Sequence, residues 1–351
     1  MTHIYIILCC YNKYPMDNTD KKRKYSSLNG RTEIKDGKLD CVGDKEHKRL
    51  GKGSYGEVFA YGKIMALKKV YLRNSDGDVD PVIIESFAKE CAVALKMMGL
   101  QIPGVVTTPR KPKIVLDEDG APLYGHLFMT KEEHDANKEL FDYGEIFSIF
   151  RQILNALSLL SERGIGHLDI KPRNILVSGR GEKIKAYLCD FGLCCLPGPG
   201  TNMYNPWHYV VTRWYRAPEA FKIGHAFDYH KVDIYSLGVS ILELACGCPL
   251  SETIFELFGY VLRTKRFRES EDKYYEDILL TKSNLERIIE EMMRKCVFRS
   301  PDECEKKHIE MLFELLEKMM SFDPNDRPTA KEALMHHIFT VNDSPKGVDE
   351  L

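Results

Sequence analysis

Apolar positions follow two periods along this chain. Ile146, Ile149, Phe150, Ile153, Leu154, Leu157 and Leu160 recur three or four residues apart, which predicts a core-facing helix over 144–160. From Val232 to Cys246 the run is almost wholly apolar, and a helix that is apolar all round is a buried one. Asp80-Pro81 reads as an N-cap followed by a first-turn proline, so a helix is expected over 82–98, stopping at Gly99. Earlier stretches are shorter and strand-like. Glu57-Val58-Phe59 and Ile64 to Lys68 predict two strands joined near Tyr61-Gly62-Lys63, and Tyr124 to Thr130 predicts a third. Strand side chains alternate faces, so Ala66 and Lys68 point one way and Lys69 the other, where solvent is expected. Pro103 to Leu123 reads as loop, 251–320 as helical segments with charged loops, and Leu334 to Phe339 as the end of the last helix.

Composition narrows the class. The chain has 351 residues, 44% apolar and 29% charged, enough for one large or two modest cores. A net charge of −2 gives no field that would draw it to nucleic acid or to a membrane. Its 11 cysteines are scattered without a C-x-x-C pair, which speaks for reduced thiols in cytosol or nucleus. Ile4 to Cys10 is apolar but too short to span a bilayer, and Met1-Thr2-His3 does not resemble the start of a signal peptide. Residues 16–40 read as a disordered leader, with Met16 an alternative start. In that leader Lys21-Lys22-Arg23-Lys24 is either an import signal or an ordinary solvated run.

Three stretches carry chemistry. Gly164-Ile-Gly-His-Leu-Asp169-Ile-Lys171-Pro-Arg-Asn174-Ile-Leu176 packs an acid, a cation and an amide into six positions, and Pro172 keeps them out of a helix. Asp169 can accept a proton, Lys171 can neutralise phosphate, and Asn174 can hold a metal through its carbonyl oxygen. Twenty-one residues after Asp169 comes Cys-Asp190-Phe-Gly. Two oxygen donors, Asn174 and Asp190, suit Mg²⁺ better than zinc or copper. Upstream, Leu50-Gly51-Lys52-Gly53-Ser54-Tyr55-Gly56-Glu57-Val58 spaces three glycines so that a backbone can close over phosphates. A dinucleotide-binding fold shares that spacing but needs a helix straight after the last glycine; here a strand follows.

Together these stretches resemble the protein kinases, with their H-R-D-L-x-x-x-N and D-F-G motifs. Tyr209-Val-Val-Thr212-Arg-Trp-Tyr-Arg216-Ala-Pro-Glu219 resembles the CMGC group, which holds the cyclin-dependent and MAP kinases. Asp323-Pro-Asn-Asp-Arg327-Pro matches a late family motif, and the resemblance runs from about 46 to 340. It implies an α+β, two-lobed fold: a small β-rich N-lobe with one regulatory helix and a large, mainly helical C-lobe. The implied divisions are a disordered leader (1–44), N-lobe (45–131), C-lobe (132–341) and tail (342–351).

The same resemblance implies an ATP- and Mg²⁺-dependent Ser/Thr protein kinase acting on protein substrates, with proline favoured after the acceptor through Arg216. ATP is expected under Leu50, Gly51, Lys52, Gly53, Ser54, Tyr55, Gly56 and Val58. Ala66 and Leu176 would line adenine, with Met129 behind it and Lys131-Glu132 as hinge. Lys68, in Met65-Ala-Leu-Lys68 and seventeen residues after Gly51, would reach the phosphates, partnered by Glu90 rather than Glu85. Asp169 and Lys171 are the implied catalytic pair, with Asn174 and Asp190 as metal ligands and Thr212 beside them. His167 reads as a packed core histidine. Asp233 would hold the catalytic loop, and Arg327 would pair with Glu219; both are structural roles.

Two departures coincide. The family arginine before the catalytic aspartate is Leu168 here, and the usual phosphothreonine position is Trp207. Leucine cannot grip a phosphate, so phosphorylation at that position is not expected to be required. Tyr209 remains a candidate phosphosite or a packed tyrosine. The helix before Glu90 lacks a cyclin-reading sequence, although Ala66 to Arg73 resembles the third strand of cyclin-dependent kinases; a cyclin partner stays open. The rivals are a pseudokinase scaffold and a small-molecule kinase.

Overall fold

A computed structural model of the chain describes residues 48–53, 56–98, 100, 102–196, 203–204, 211–221, 225–258, 281–296 and 303–339. The leader, the tail, Ser54, Tyr55, Gly99, Trp207 and Tyr209 lie outside the described residues. The chain divides into two compact units, Met1–Gln101 with Val106–Lys131 and Ile102–Val105 with Glu132–Leu351.

The first unit is an antiparallel sheet of β1 (Arg49–Lys52), β2 (Gly56–Tyr61), β3 (Met65–Tyr71), β4 (Lys113–Leu116) and β5 (Pro122–Thr130), in the order β1-β2-β3-β5-β4. One helix, α1 (Pro81–Met97), lies against it. Asp80 caps α1 by accepting from the amides of Val82 and Ile83. The apolar face of α1, with Ile83, Ile84, Phe87, Cys91 and Ala94, packs on Val70, Leu72 and Leu127 of the sheet side. The approach is close: a Cβ on Gly125 would stand 2.3 Å from Phe87 Cζ.

Two expectations need correcting in this unit. Lys69 does take the face opposite Lys68, but it is not solvated. It is 4% exposed, with Nζ 3.9 Å from the Tyr124 ring centroid and 5.5 Å from that of Tyr71. Alternation fixes the face of a strand residue, while neighbouring strands decide what covers it; here aromatic rings take the ammonium. The stretch read as loop also contains β4. Its four residues are too few for a visible period, and the hairpin is set by turn chemistry. Asp117 accepts from the amides of Asp119 and Ala121, and Gly120 supplies a φ of 78°.

The second unit is mainly helical: α2 (Tyr143–Ser161), α3 (Tyr229–Cys246), α4 (Leu250–Phe258), α5 (Lys282–Lys295), α6 (Glu303–Met319) and α7 (Ala330–Leu334). A capping box of Asp142 and Glu145 starts α2. Asp228 caps α3, which is buried almost all round and ends at Gly247, whose φ is 64°. A small sheet, β6 (His134–Asp135), β7 (Ile175–Ser178) and β8 (Lys185–Leu188), carries the chain past both acidic motifs. The last helix closes at Leu334, and a separate 3-10 turn spans His337–Phe339 rather than continuing it. No helix among the described residues is long and apolar enough to cross a membrane.

Candidate active site

In the first unit the glycine-rich turn joins β1 to β2. Its three glycines differ in what demands them. A Cβ on Gly56 would fall 2.1 Å from the carbonyl oxygen of Lys69, so the neighbouring strand excludes any side chain there. A Cβ on Gly51 meets nothing within 4 Å, and one on Gly53 meets only Gly56 O at 3.8 Å. Packing does not require those two. Leu50 and Val58 are half-buried, Lys52 is exposed, and Ala66 is buried.

Lys68 faces α1 and gives its Nζ to both carboxylate oxygens of Glu90, at 2.9 and 2.8 Å. Glu90 is buried, so its charge is held against that ammonium. Glu85, the competing acid, pairs instead with Lys89 at 3.1 Å. Met129 lies opposite Ala66 across the sheet and packs at the edge of the core beneath α1. The amide of Lys131 is occupied by Ile64 O at 3.0 Å, so of the two proposed hinge residues Lys131 has no backbone N–H to offer a base.

In the second unit the loop after α2 is fixed from beneath. Gly166 must be glycine, because a Cβ would meet Tyr229 Cδ2 at 2.3 Å. The next two amides, of His167 and Leu168, donate to the two oxygens of Asp233, at 2.6 and 2.8 Å. Burial pushes the Asp233 carboxyl up to about 7, against the pull of those two amides. Leu168 is fully buried and takes a φ of 60°. His167 donates from Nε2 to Cys189 O at 3.0 Å and accepts the Asp169 amide on Nδ1 at 3.2 Å. That pattern needs the neutral ring, and burial holds its pKa below the ordinary histidine value.

Above this base three polar side chains close on one carboxylate. Asp169 Oδ1 accepts from the Thr212 hydroxyl at 2.6 Å; Oδ2 accepts from Lys171 Nζ at 2.7 Å and Asn174 Nδ2 at 2.9 Å. Lys171 also donates to Thr212 Oγ1 at 2.8 Å. Asn174 Nδ2 gives a second bond to Asp169 O at 2.8 Å, so the nitrogen end of the amide is spent and its oxygen is turned away. Cys189 donates its amide to Asn174 O at 3.0 Å, bringing the backbone before Asp190 alongside the loop. Asp190 itself has a φ of 67°. Leu176 sits on β7, half-buried.

Thr212 begins a segment with an unusual backbone. Val211 has a φ of 67°, and Arg216 claims its carbonyl through Nε at 3.3 Å and Nη2 at 2.8 Å. Beyond it, Ser236 Oγ binds Tyr215 O at 2.7 Å, the Tyr215 hydroxyl binds Glu243 at 2.6 Å, and Arg327 grips Glu219 at 2.6 and 2.8 Å. Val211, Ser236 and Glu243 were not singled out from sequence. For Ser236 and Glu243 the available signal was a polar residue inside an otherwise apolar α3, where each has to find a partner when buried; Val211 gave none.

A protein kinase domain profile matches residues 45–339. The chain belongs to the protein kinase family. It is 31% identical to mitogen-activated protein kinase 10 of Oryza sativa subsp. japonica over 83% of its own length and 47% of that protein. To cyclin-dependent kinase-like 2 of Rattus norvegicus it is 26% identical, over 84% of this chain and 56% of the relative. This kinase chain thus spans about half the length of the curated relatives it matches, and those relatives make it CMGC-like.

Proposed function

We propose that this chain is an active Ser/Thr protein kinase that transfers the γ-phosphoryl group of ATP to proteins and prefers proline after the acceptor. The observation that carries this reading is the Asp169 carboxylate, held at once by Thr212, Lys171 and Asn174 at 2.6, 2.7 and 2.9 Å. In that role Asp169 orients the acceptor hydroxyl and takes its proton as the oxygen attacks the γ-phosphorus and ADP departs. Lys171 offsets the charge on the moving phosphoryl group. Lys68, directed by Glu90, aligns the α- and β-phosphates. Gly51 and Gly53, which no packing contact requires, put no side chain between the backbone and phosphate oxygens. Ala66, Val58 and Leu176 serve adenine, and Ser54 and Tyr55 belong to the same glycine-rich motif of the sequence. Asn174 presents an amide oxygen and Asp190 a carboxylate, a hard-oxygen set that fits Mg²⁺. Mg²⁺, when bound, supplies charge neutralisation on the phosphates.

Arg216 supports the proline preference. It consumes the Val211 carbonyl, so the amide N–H of an ordinary residue after the acceptor would lack that acceptor; proline has no such donor. Leu168, buried and without charge, supports activity without a phosphate at the Trp207 position, while Tyr209 stays the candidate phosphosite. No nucleic acid, membrane or cyclin-like partner enters this reading, and the expected place of action is cytosol or nucleus.

The test is phosphorylation of a degenerate peptide library with radiolabelled ATP. Label on serine and threonine before proline supports the reading; no transfer at all favours the scaffold alternative. Asp169→Asn is expected to lower turnover about 10²–10⁴-fold with ATP binding kept. Undiminished turnover would remove Asp169 from the chemistry.

A further inference from the structure

Away from the catalytic loop, the second unit gathers two thiols at the ends of two helices. Cys246 is the last residue of α3, and Cys296 caps α5. Their Sγ atoms are 3.1 Å apart. Even two carbon atoms rest at about 3.5–4.0 Å, and sulfur is larger. Both thiols converge on one acceptor, Met292 O, at 2.8 Å from Cys246 and 3.4 Å from Cys296. The helix ends that hold them are anchored. α3 is buried along its length, and α5 buries Leu285, Ile288, Ile289 and Met292. Both cysteines keep partial solvent access, so a small oxidant reaches them.

We propose that Cys246 and Cys296 are an oxidative modification site, closing to a disulfide when a hydroperoxide is present. The neighbouring Cys296 sulfur, and then burial, push the Cys246 thiol up, and its proton is held on Met292 O at 2.8 Å against 3.4 Å for Cys296, so the first attack falls to Cys296. Its sulfur attacks the distal peroxide oxygen, the O–O bond breaks, and the leaving alkoxide takes the thiol proton as an alcohol. The Cys246 sulfur then attacks the Cys296 sulfenic sulfur and expels hydroxide, which leaves with the Cys246 proton as water. The two sulfurs lose two electrons and the peroxide gains them. The bond ties the end of the central helix to a helix fifty positions later, a ring long enough to restrict the unfolded chain appreciably. Nothing in this proposal depends on phosphoryl transfer.

The experiment oxidises the purified full chain with tert-butyl hydroperoxide, blocks remaining thiols, and maps peptides without reductant. The expected result is one species joining the Cys246 and Cys296 peptides, lighter by two hydrogens than their sum and released by dithiothreitol. Oxidation should raise the melting temperature by about 8–16 °C, the conversion of a ring of this length. Cys296→Ser should lose both the linked species and the rise, and Cys248→Ser should lose neither. Both cysteines recovered fully alkylated, a Cys246–Cys248 link instead, or a link that lowers the melting temperature would each overturn the proposal. The wild-type map decides even if a serine variant folds poorly.

Discussion

Replacing Arg327 by methionine separates a structural ion pair from the chemistry. The Arg327 side chain is 0% exposed and meets Glu219 in a two-pronged contact at 2.6 and 2.8 Å. Its guanidinium also donates to the carbonyls of Ser321, Lys231 and Phe322, at 2.8, 3.2 and 3.3 Å, and lies 5.0 Å from the Tyr235 ring. Methionine keeps much of the stem but strands the Glu219 carboxylate and removes a donor from three carbonyls. Orphaning one member of a buried pair costs about 3–5 kcal/mol. The Glu219 side chain is 17% exposed, so water screens it and the lower end, about 3 kcal/mol, is expected. At about 2–4 °C per kcal/mol for a unit of this size, melting should fall by roughly 6–12 °C. Circular dichroism melts of Arg327→Met, Glu219→Leu and the double variant form the assay. Because the double variant strands no charge, it should be more stable than Arg327→Met alone. A single variant melting within about 2 °C of the parent would refute the reasoning, since that is the range of an ordinary surface change.

Three further outcomes are expected. Glu90→Gln leaves Lys68 without its counter-charge and should cut turnover about tenfold or more; unaltered turnover would show that the pair does not direct Lys68. Gly125→Ala forces a methyl to within 2.3 Å of Phe87 and should lower stability by about 1–3 kcal/mol in urea titration; an unshifted midpoint would contradict the close packing of α1. His126 is pushed down from 6.5 to about 4, first by burial, then by Lys69 and Lys113. The unfolded chain therefore binds the extra proton between those values, so stability falls as pH drops from 6.5 towards 4, by at most about 3 kcal/mol and less after screening. His126→Phe should flatten that slope in pH-dependent melts, and parallel curves for parent and variant would rule it out.

The loop of Asp169 was legible because its polar residues are local. Asp169, Lys171 and Asn174 fall within six residues, and Pro172 bars the helix that would separate them. Lys68 was legible as a strand face, but choosing Glu90 over Glu85 required knowing which side of α1 meets the sheet. Period alone cannot give that, and the sequence following Glu90 supplied it by resemblance. The contact of Thr212 with Asp169, forty-three positions away, was visible only through the CMGC-like segment. Lys69, Val211 and β4 were hidden for separate reasons. Burial of Lys69 depends on Tyr124, more than fifty positions later. The left-handed backbone of Val211 contradicts its residue type, because β-branched side chains avoid that region. β4 is too short to carry a pattern.

Asp233 explains how the loop tolerates leucine where the family has arginine. A left-handed conformation at Leu168 costs on the order of 1–2 kcal/mol. Two amide bonds to a buried carboxylate, at 2.6 and 2.8 Å, contribute about 1.5–3 kcal/mol each, enough to hold that conformation whatever the side chain. The side chain then needs only a place to go, and the core beneath the loop buries Leu168 completely. Backbone shape at 168 is thus set by a residue sixty-five positions away, and the side chain at 168 is released to serve packing. Asp169 follows directly on this fixed backbone, which is why its carboxylate meets Thr212, Lys171 and Asn174 without help from a charged neighbour at 168.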